Sequence, residues 1–242
     1  ASTTGSPTVS TSGSGSLSFN GTSQYVGYAN NAALQLTGDF TVEGWFYITA
    51  TTGSNQIALS KWNASSQGYL IFYHNSQGKF YFTNTAVSLI SSTTQSYGQY
   101  YHVAATRSGN NYTLYVNGVS VATATSATSA TDSGTELAIG RDTNSSAGWT
   151  NGYISNVRIV KGTAIYTSNF TPSTTPLTAV SGTSILLNTV SGAPYADGST
   201  NSFATTTASS SVGPWNQSSP FATGTGYKNR VYTWTSSGSI TF

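Results

Sequence analysis

Short alternating runs, cut at regular intervals by turn residues, constrain this chain more than any other feature. The clearest pair is YTLYV and VSVAT, which flank Asn117–Gly118. Asn-Gly suits both positive-φ positions of a type I′ turn, whose twist matches two antiparallel strands, so a hairpin is predicted here. SGNN, between HVAATR and YTLYV, predicts another hairpin just before it. NQIALSKW, GYLIFYH and KFYFTN come earlier, separated by Gly, Ser and Asn, and ELAIGR and GYISNVRIV come later. No stretch sustains helical periodicity over three turns. Many short strands spaced about a dozen residues apart predict an all-β sandwich or closed barrel.

The strongest single strand is DFTVEGWFYI, residues 39–48. Val42, Gly44, Phe46 and Ile48 alternate with Thr41, Glu43, Trp45 and Tyr47, so both faces carry bulky groups. That pattern fits a strand covered on both sides or one lining a concave face. Either fits Glu43, which the sequence leaves undecided between core and groove.

Composition narrows the function classes. Only 6% of the 242 residues are charged, against about a quarter in ordinary globular domains. The chain is still not a disordered polar tract, because 37% of it is hydrophobic, with 16 Tyr, 10 Phe and 5 Trp. Eight scattered Lys and Arg give a net charge of +2 and no basic stripe, which leaves phosphate-based nucleic-acid binding little to stand on. Apolar runs of a few residues cannot span a bilayer. The absence of cysteine removes thiolate zinc sites, disulfides and cysteine nucleophiles together. Low charge with abundant hydroxyls suits a protein held in an assembly.

Residues 1–15 are Ser/Thr/Gly-rich and read as a flexible linker without the charged start and apolar centre of a signal peptide. From 179 to 242 turn residues dominate, and a small β-rich extension is expected, with short strands packing on the main body or on a neighbour. The closing SGSITF echoes SGSLSF, which ends at Phe19, an echo that fits either chance in so biased a composition or a segment of a longer repeating protein.

SLSFNGTSQYVGY, GDFTVEGWFYI, YHVAATRSGNNYTLYVNGVSVATAT, ELAIGR and NGYISNVRIVKGTAIYTSNFTPSTTPL, in this order over residues 16–178, resemble the laminin G-like, concanavalin A-like lectin/glucanase domains. VRIVKGTAIYTSNFTPSTTPL with a following SILLN is especially similar to domains in virion and fibre proteins of bacterial viruses. The resemblance implies two curved antiparallel sheets in a jelly-roll sandwich that binds carbohydrate or a protein surface. It fixes no chemistry, because this fold hosts enzymes, lectins and inert spacers alike. NGYISNVRIV would be the late strand that returns beside the first strand and closes the sandwich. Tyr166 and Phe170 would pack back on it from the exit turn, with Arg158 and Lys161 as solvated charges.

Hydrolysis of a glycoside needs two carboxyl groups at a set separation, and the enzymes of this fold carry clustered acids on one strand. The six acids are Asp39, Glu43, Asp132, Glu136, Asp142 and Asp197. Glu43 has no second acid two or four positions away, and Asp39 reads as a turn residue, so no catalytic residue is expected. His102 reads as a half-buried strand residue. Calcium is the metal to weigh, since the resemblance implies one at a loop rim, and Asp142 with Asn144 is the best local oxygen cluster. An Asx-turn is the competing reading of those two residues, and no cofactor is required.

Sugar rings stack on Trp and Tyr while their hydroxyls meet amides and charged groups. On that ground Trp149, Trp62, Tyr28, Asn151, Arg141 and His74 are the candidate carbohydrate-binding residues. The expectation is a non-enzymatic structural and adhesion module of a virion or other extracellular assembly, recognising surface glycans. The alternatives are a purely structural subunit without a ligand and a polysaccharide-active enzyme.

Overall fold

The computed structural model describes residues 8–10, 16–145, 147–188, 195–208 and 231–233. The remainder of the 1–15 segment, and most of the chain after 208 with its closing SGSITF, lie outside the described residues. The strands begin with β1 (Thr8–Ser10), β2 (Leu17–Asn20), β3 (Val26–Tyr28), β4 (Phe40–Ile48), β5 (Gln56–Asn63) and β6 (Gln67–His74). Next are β7 (Lys79–Asn84), β8 (Ser88–Ile90), β9 (Tyr100–Ser108), β10 (Asn111–Val116) and β11 (Val119–Thr125). Last come β12 (Leu137–Ile139), β13 (Asn151–Lys161), β14 (Thr183–Leu187), β15 (Thr205–Ala208) and β16 (Val231–Thr233).

Two seven-stranded antiparallel sheets form the sandwich. The first runs β11-β10-β9-β4-β13-β14, with β2 also paired to β13, and the second runs β15-β3-β12-β5-β6-β7-β8. β1 and β16 pair with each other in a two-stranded ribbon. The segment after 178 gives one strand to each sheet: β14 joins β13, and β15 joins β3.

Alternation decides which face each residue takes. Phe40, Val42, Phe46 and Ile48 of β4 are buried between the sheets. Phe40 meets Phe82 with ring centroids 5.7 Å apart, and Phe46 meets Phe80 at 6.2 Å. Each such side chain, buried, is worth about 1.5–3 kcal/mol of transfer free energy. The predicted hairpin is present, with Asn117 at φ 51° and Gly118 at φ 78° between β10 and β11. β13 returns between β2 and β4, pairing Tyr153 with both Ser18 and Tyr47, and so closes the first sheet as expected.

Beyond β13 the chain crosses the outer face of the first sheet as a strap. Phe170 N donates to Gly118 O at 2.9 Å, Ser120 N to Asn169 Oδ1 at 2.8 Å, and Leu177 N to Asn156 Oδ1 at 2.9 Å. A Cβ at Gly118 would collide with the Phe170 carbonyl, so this glycine serves the turn and the strap's close approach together.

Candidate functional site

Beneath the strap lies the most charged interior of the molecule. Arg158 Nη2 and Nε donate to Glu43 Oε1 at 2.6 and 2.8 Å. His102 Nε2 lies 3.1 Å from Glu43 Oε2, and the Tyr166 hydroxyl donates to the same oxygen at 2.8 Å. Burial alone would raise the Glu43 carboxyl, but the His102 hydrogen bond and the Arg158 charge outweigh it and hold it below its ordinary 4.5. Tyr166 and Phe170 stack with centroids 3.5 Å apart and seal the network, Phe170 standing edge-on to His102 and Tyr115.

Two expectations change here, and the open placement of Glu43 is decided. Glu43 points to the outer face of the first sheet, yet it is fully buried under the strap. Arg158 is not a solvated charge: it is 5% exposed, because Glu43 on the neighbouring strand is its cross-strand partner. His102 is fully rather than half buried.

The second cluster is open. Its loop leaves β12 of the second sheet at Gly140 and enters β13 of the first sheet at Asn151. Three backbone bonds pin its base: Gly140 N to Ala58 O at 3.0 Å, Thr150 N to Gly140 O at 2.9 Å, and Ile57 N to Gly148 O at 2.9 Å. Arg141 lies over the Tyr25 ring at 4.1 Å and 5.9 Å from the Trp149 ring. Tyr25 and Trp149 meet edge to face at 6.1 Å. Glu136 fixes the guanidinium at 2.6 Å and also accepts from the Thr206 hydroxyl at 3.1 Å. Gly27 makes room for this, since a Cβ there would sit 2.6 Å from Glu136 Oε2. Arg141 and Glu136 keep 21% and 23% of their side-chain surface exposed, and Tyr25 and Trp149 are half-buried.

Of the sequence-derived candidates, Trp149 and Arg141 therefore come together. Trp62 is half-buried at the far end of β5, where Thr143 bonds both its backbone N and O, at 2.8 and 2.7 Å. It stands five positions beyond Ile57, which packs against Gly148, a separation of about 16 Å along a strand. The two tryptophans bracket the loop and do not form one platform. His74 stacks on Tyr81 at 5.4 Å, and Asn151 N donates to Gln56 Oε1 at 2.8 Å. Gln56 in turn donates to Asn75 Oδ1 at 2.9 Å, so Asn151 and the turn after His74 are joined through Gln56, next to Ile57, which the Trp149 loop contacts.

Tyr28 is a correction. It has no exposed surface, belongs to the core, and donates its hydroxyl to Tyr195 O at 2.9 Å. Tyr25, three positions earlier, is the tyrosine of QYVGY that faces out.

Asp142 and Asn144 behave as turn residues. Asp142 Oδ1 accepts from Asn144 N at 3.0 Å, its Oδ2 from the Ser145 hydroxyl at 2.9 Å, and Asn144 Oδ1 from Ala64 N at 2.9 Å. No group of three or more His, Cys, Asp or Glu able to hold a metal ion occurs among the described residues. One carboxylate already capping its own loop does not fit the six to eight oxygens that calcium takes.

Comparison with known proteins agrees with this fold. Residues 20–165, more than half of the chain, match the laminin G-type family described as the concanavalin A-like lectin/glucanases superfamily. No curated protein matches the sequence. Among solved structures, a candidate carbohydrate-binding protein from Bacteroides ovatus superposes with a TM-score of 0.56 at 14% identity. That match covers 74% of this chain and 52% of the other, so the chain spans about half the length of that relative. Domains LG4-5 of the mouse laminin α1 chain give 0.47 at 19% identity, covering 60% of this chain and 41% of that one. The CBM40 module of a Ruminococcus gnavus sialidase, bound to α2,3-sialyllactose, gives 0.45 at 17% identity, covering 57% and 86%. At such identity the first of these speaks to fold and not to ligand. With a matching family and a matching sandwich, the chain belongs to the laminin G-type concanavalin A-like lectin/glucanases superfamily.

Proposed function

We propose that this domain is a non-enzymatic glycan-binding module that works by adhesion, and that the Tyr25–Arg141–Trp149–Glu136 cluster is its contact site. One observation carries the reading. A partly exposed guanidinium is held over the Tyr25 ring by a carboxylate 2.6 Å away, with an indole ring beside it, on a loop pinned to the sheet. A sugar takes such a surface by laying its C–H face on the indole while its hydroxyls meet the fork of donors and the carboxylate. Because the groups are already positioned, little ordering opposes binding. The carbohydrate assignment of the Bacteroides ovatus protein is consistent with this reading.

The non-enzymatic part is supported by where the acids are used. Glu43 is sealed under the strap, Asp132 pairs with Lys61 at 2.5 Å, and Asp39 accepts from Gly109 N at 2.8 Å. Asp197 is buried and accepts from Leu186 N at 3.0 Å, Asp142 caps its loop, and Glu136 holds Arg141. A place in a virion or other extracellular assembly is the setting we favour, on the low charge and high hydroxyl content of the chain.

A glycan array probed with the purified chain and with Trp149→Ala tests the reading. It expects a defined set of bound glycans that the variant loses while its unfolding midpoint stays put. A chain that binds no glycan, or binds equally with and without Trp149, sinks it and leaves the purely structural subunit as the better description.

A further inference from the structure

We propose that a groove at the Lys161 end of β13 is a second saccharide site, selective for sugars that carry a carboxylate. The groove has a volume of about 610 Å³, and its walls include Ala33, Lys161, Val180, Ser181, Thr200 and Asn201. That volume lies within the range of small-ligand sites, roughly 300–1,000 Å³. β13 runs from Asn151, beside the Trp149 loop, to Lys161. At strand rise the two sites stand about 33 Å apart along it, so they are distinct.

The chemistry of the walls selects the ligand. Every charged or polar side chain lining the groove is a hydroxyl, an amide or the one ammonium, with no carboxylate among them. Lys161 Nζ donates to Ala32 O at 2.7 Å, which leaves two of its three N–H groups for a ligand. The Ser181 and Thr200 hydroxyls bond no described residue. Asp197, three positions before Thr200, is turned inward: Leu186 N, Ser199 N and Phe203 N donate to it at 3.0, 2.9 and 3.0 Å. Its carboxylate is therefore taken up by groups inside the fold, and it makes no ion pair with the lysine among the described residues. Val180, 42% exposed, offers an apolar patch for the C–H face of a ring. An ammonium beside the Ser181 and Thr200 hydroxyls matches a uronic acid, whose carboxylate takes a charge-assisted hydrogen bond while its ring hydroxyls meet the rest.

The saccharide class rests on the glycan-binding reading above, whereas the preference for negative charge rests on the groove alone. Calorimetric titration of the full chain with a galacturonic acid trisaccharide and with the neutral galactose trisaccharide separates the two. The acidic trisaccharide is expected to bind at least about tenfold more tightly, with the advantage shrinking at high salt. Lys161→Met should abolish that advantage. Ser181→Asp should abolish it too, without touching the Lys161–Ala32 contact, which excludes collapse of the neighbouring turn as the cause. Trp149→Ala should leave it intact. No preference in the wild type, or a preference that survives both groove variants, overturns the groove while array binding through Trp149 stands. Absence of every kind of saccharide binding overturns the glycan-binding reading and the groove with it.

Discussion

Among the described residues, two arginine–glutamate pairs have the same 2.6 Å contact and opposite surroundings. Arg158 and Glu43 lie at 7% and 0% side-chain exposure beneath a strap, while Arg141 and Glu136 lie at 21% and 23% on a loop. In the first, every neighbour of the carboxylate belongs to the fold: His102 and Tyr166 take its other oxygen. In the second, Thr206 takes the carboxylate's other oxygen while the guanidinium lies against partly exposed aromatic rings. Distance alone therefore does not tell a sealed pair from an open one; what surrounds the pair does. A desolvated pair is held because breaking it strands a buried charge. A half-exposed pair adds little to stability and is free to present donors and acceptors outward.

Replacing Glu43 by Gln should give the largest effect, since it leaves Arg158 buried without its counter-charge. A loss of about 3–5 kcal/mol in denaturant unfolding is expected. Next comes Tyr166→Phe, which removes one hydrogen bond to a charged carboxylate and loosens the strap. It should cost about 1.5–3 kcal/mol and leave glycan binding unchanged. An equal loss of binding in that variant would erase the distinction between the two regions.

Acidification tests the sealed pair without mutation. Folded Glu43 stays ionised below 4.5, whereas in the unfolded chain it takes up a proton near that value. The unfolded state thus binds more protons in that window, so the contribution is complete above 4.5 and is lost as pH falls through the folded value. Burial opposes ionisation of Asp132, but the hydrogen bonds from Lys61 and the Gly134 backbone together with the Lys61 charge hold it below its ordinary 3.8, and it acts in the same direction. The fall in unfolding free energy on acidification should be shallower in Glu43→Gln but not vanish. At the open pair, Arg141→Ala should shift stability by no more than about 1 kcal/mol, yet weaken glycan binding at least about tenfold, the equivalent of 1.4 kcal/mol. The smallest effect is expected from calcium: adding it or chelating it should leave both the unfolding midpoint and glycan binding unchanged, because Asp142 already caps its own loop.

Much of the sandwich is legible in the sequence because strand alternation and turn chemistry are local. Asn117–Gly118 sets its own hairpin, and the run from Thr41 to Ile48 sorts its residues onto two faces without help. What lies on the outer face is harder, because it depends on a segment more than a hundred positions away. Thr41, Glu43, Trp45 and Tyr47 share a face, but only the returning strap decides that Glu43 is sealed while Tyr47 stays half-exposed. The same non-local pairing turned Arg158 from an expected surface charge into a buried partner. Tyr28 was resolvable in principle: it stands two positions from Val26, hence on the core face, whereas Tyr25 shares parity with Gly27 and faces outward. Glu136 gave no signal of its own, since nothing in ELAIGR announces that its first residue will reach Arg141 across β12.

The most direct measurement is a matched pair of variants, Glu43→Gln and Glu136→Gln, each followed by denaturant unfolding and by binding to an array-identified glycan. If the two pairs do different work, Glu43→Gln loses several kcal/mol of stability and keeps its affinity wherever it is still folded. Glu136→Gln then unfolds within about 1 kcal/mol of the wild type and loses the glycan. Full glycan affinity in Glu136→Gln, or a binding loss confined to Glu43→Gln, would contradict the division between a sealed structural pair and an open binding one.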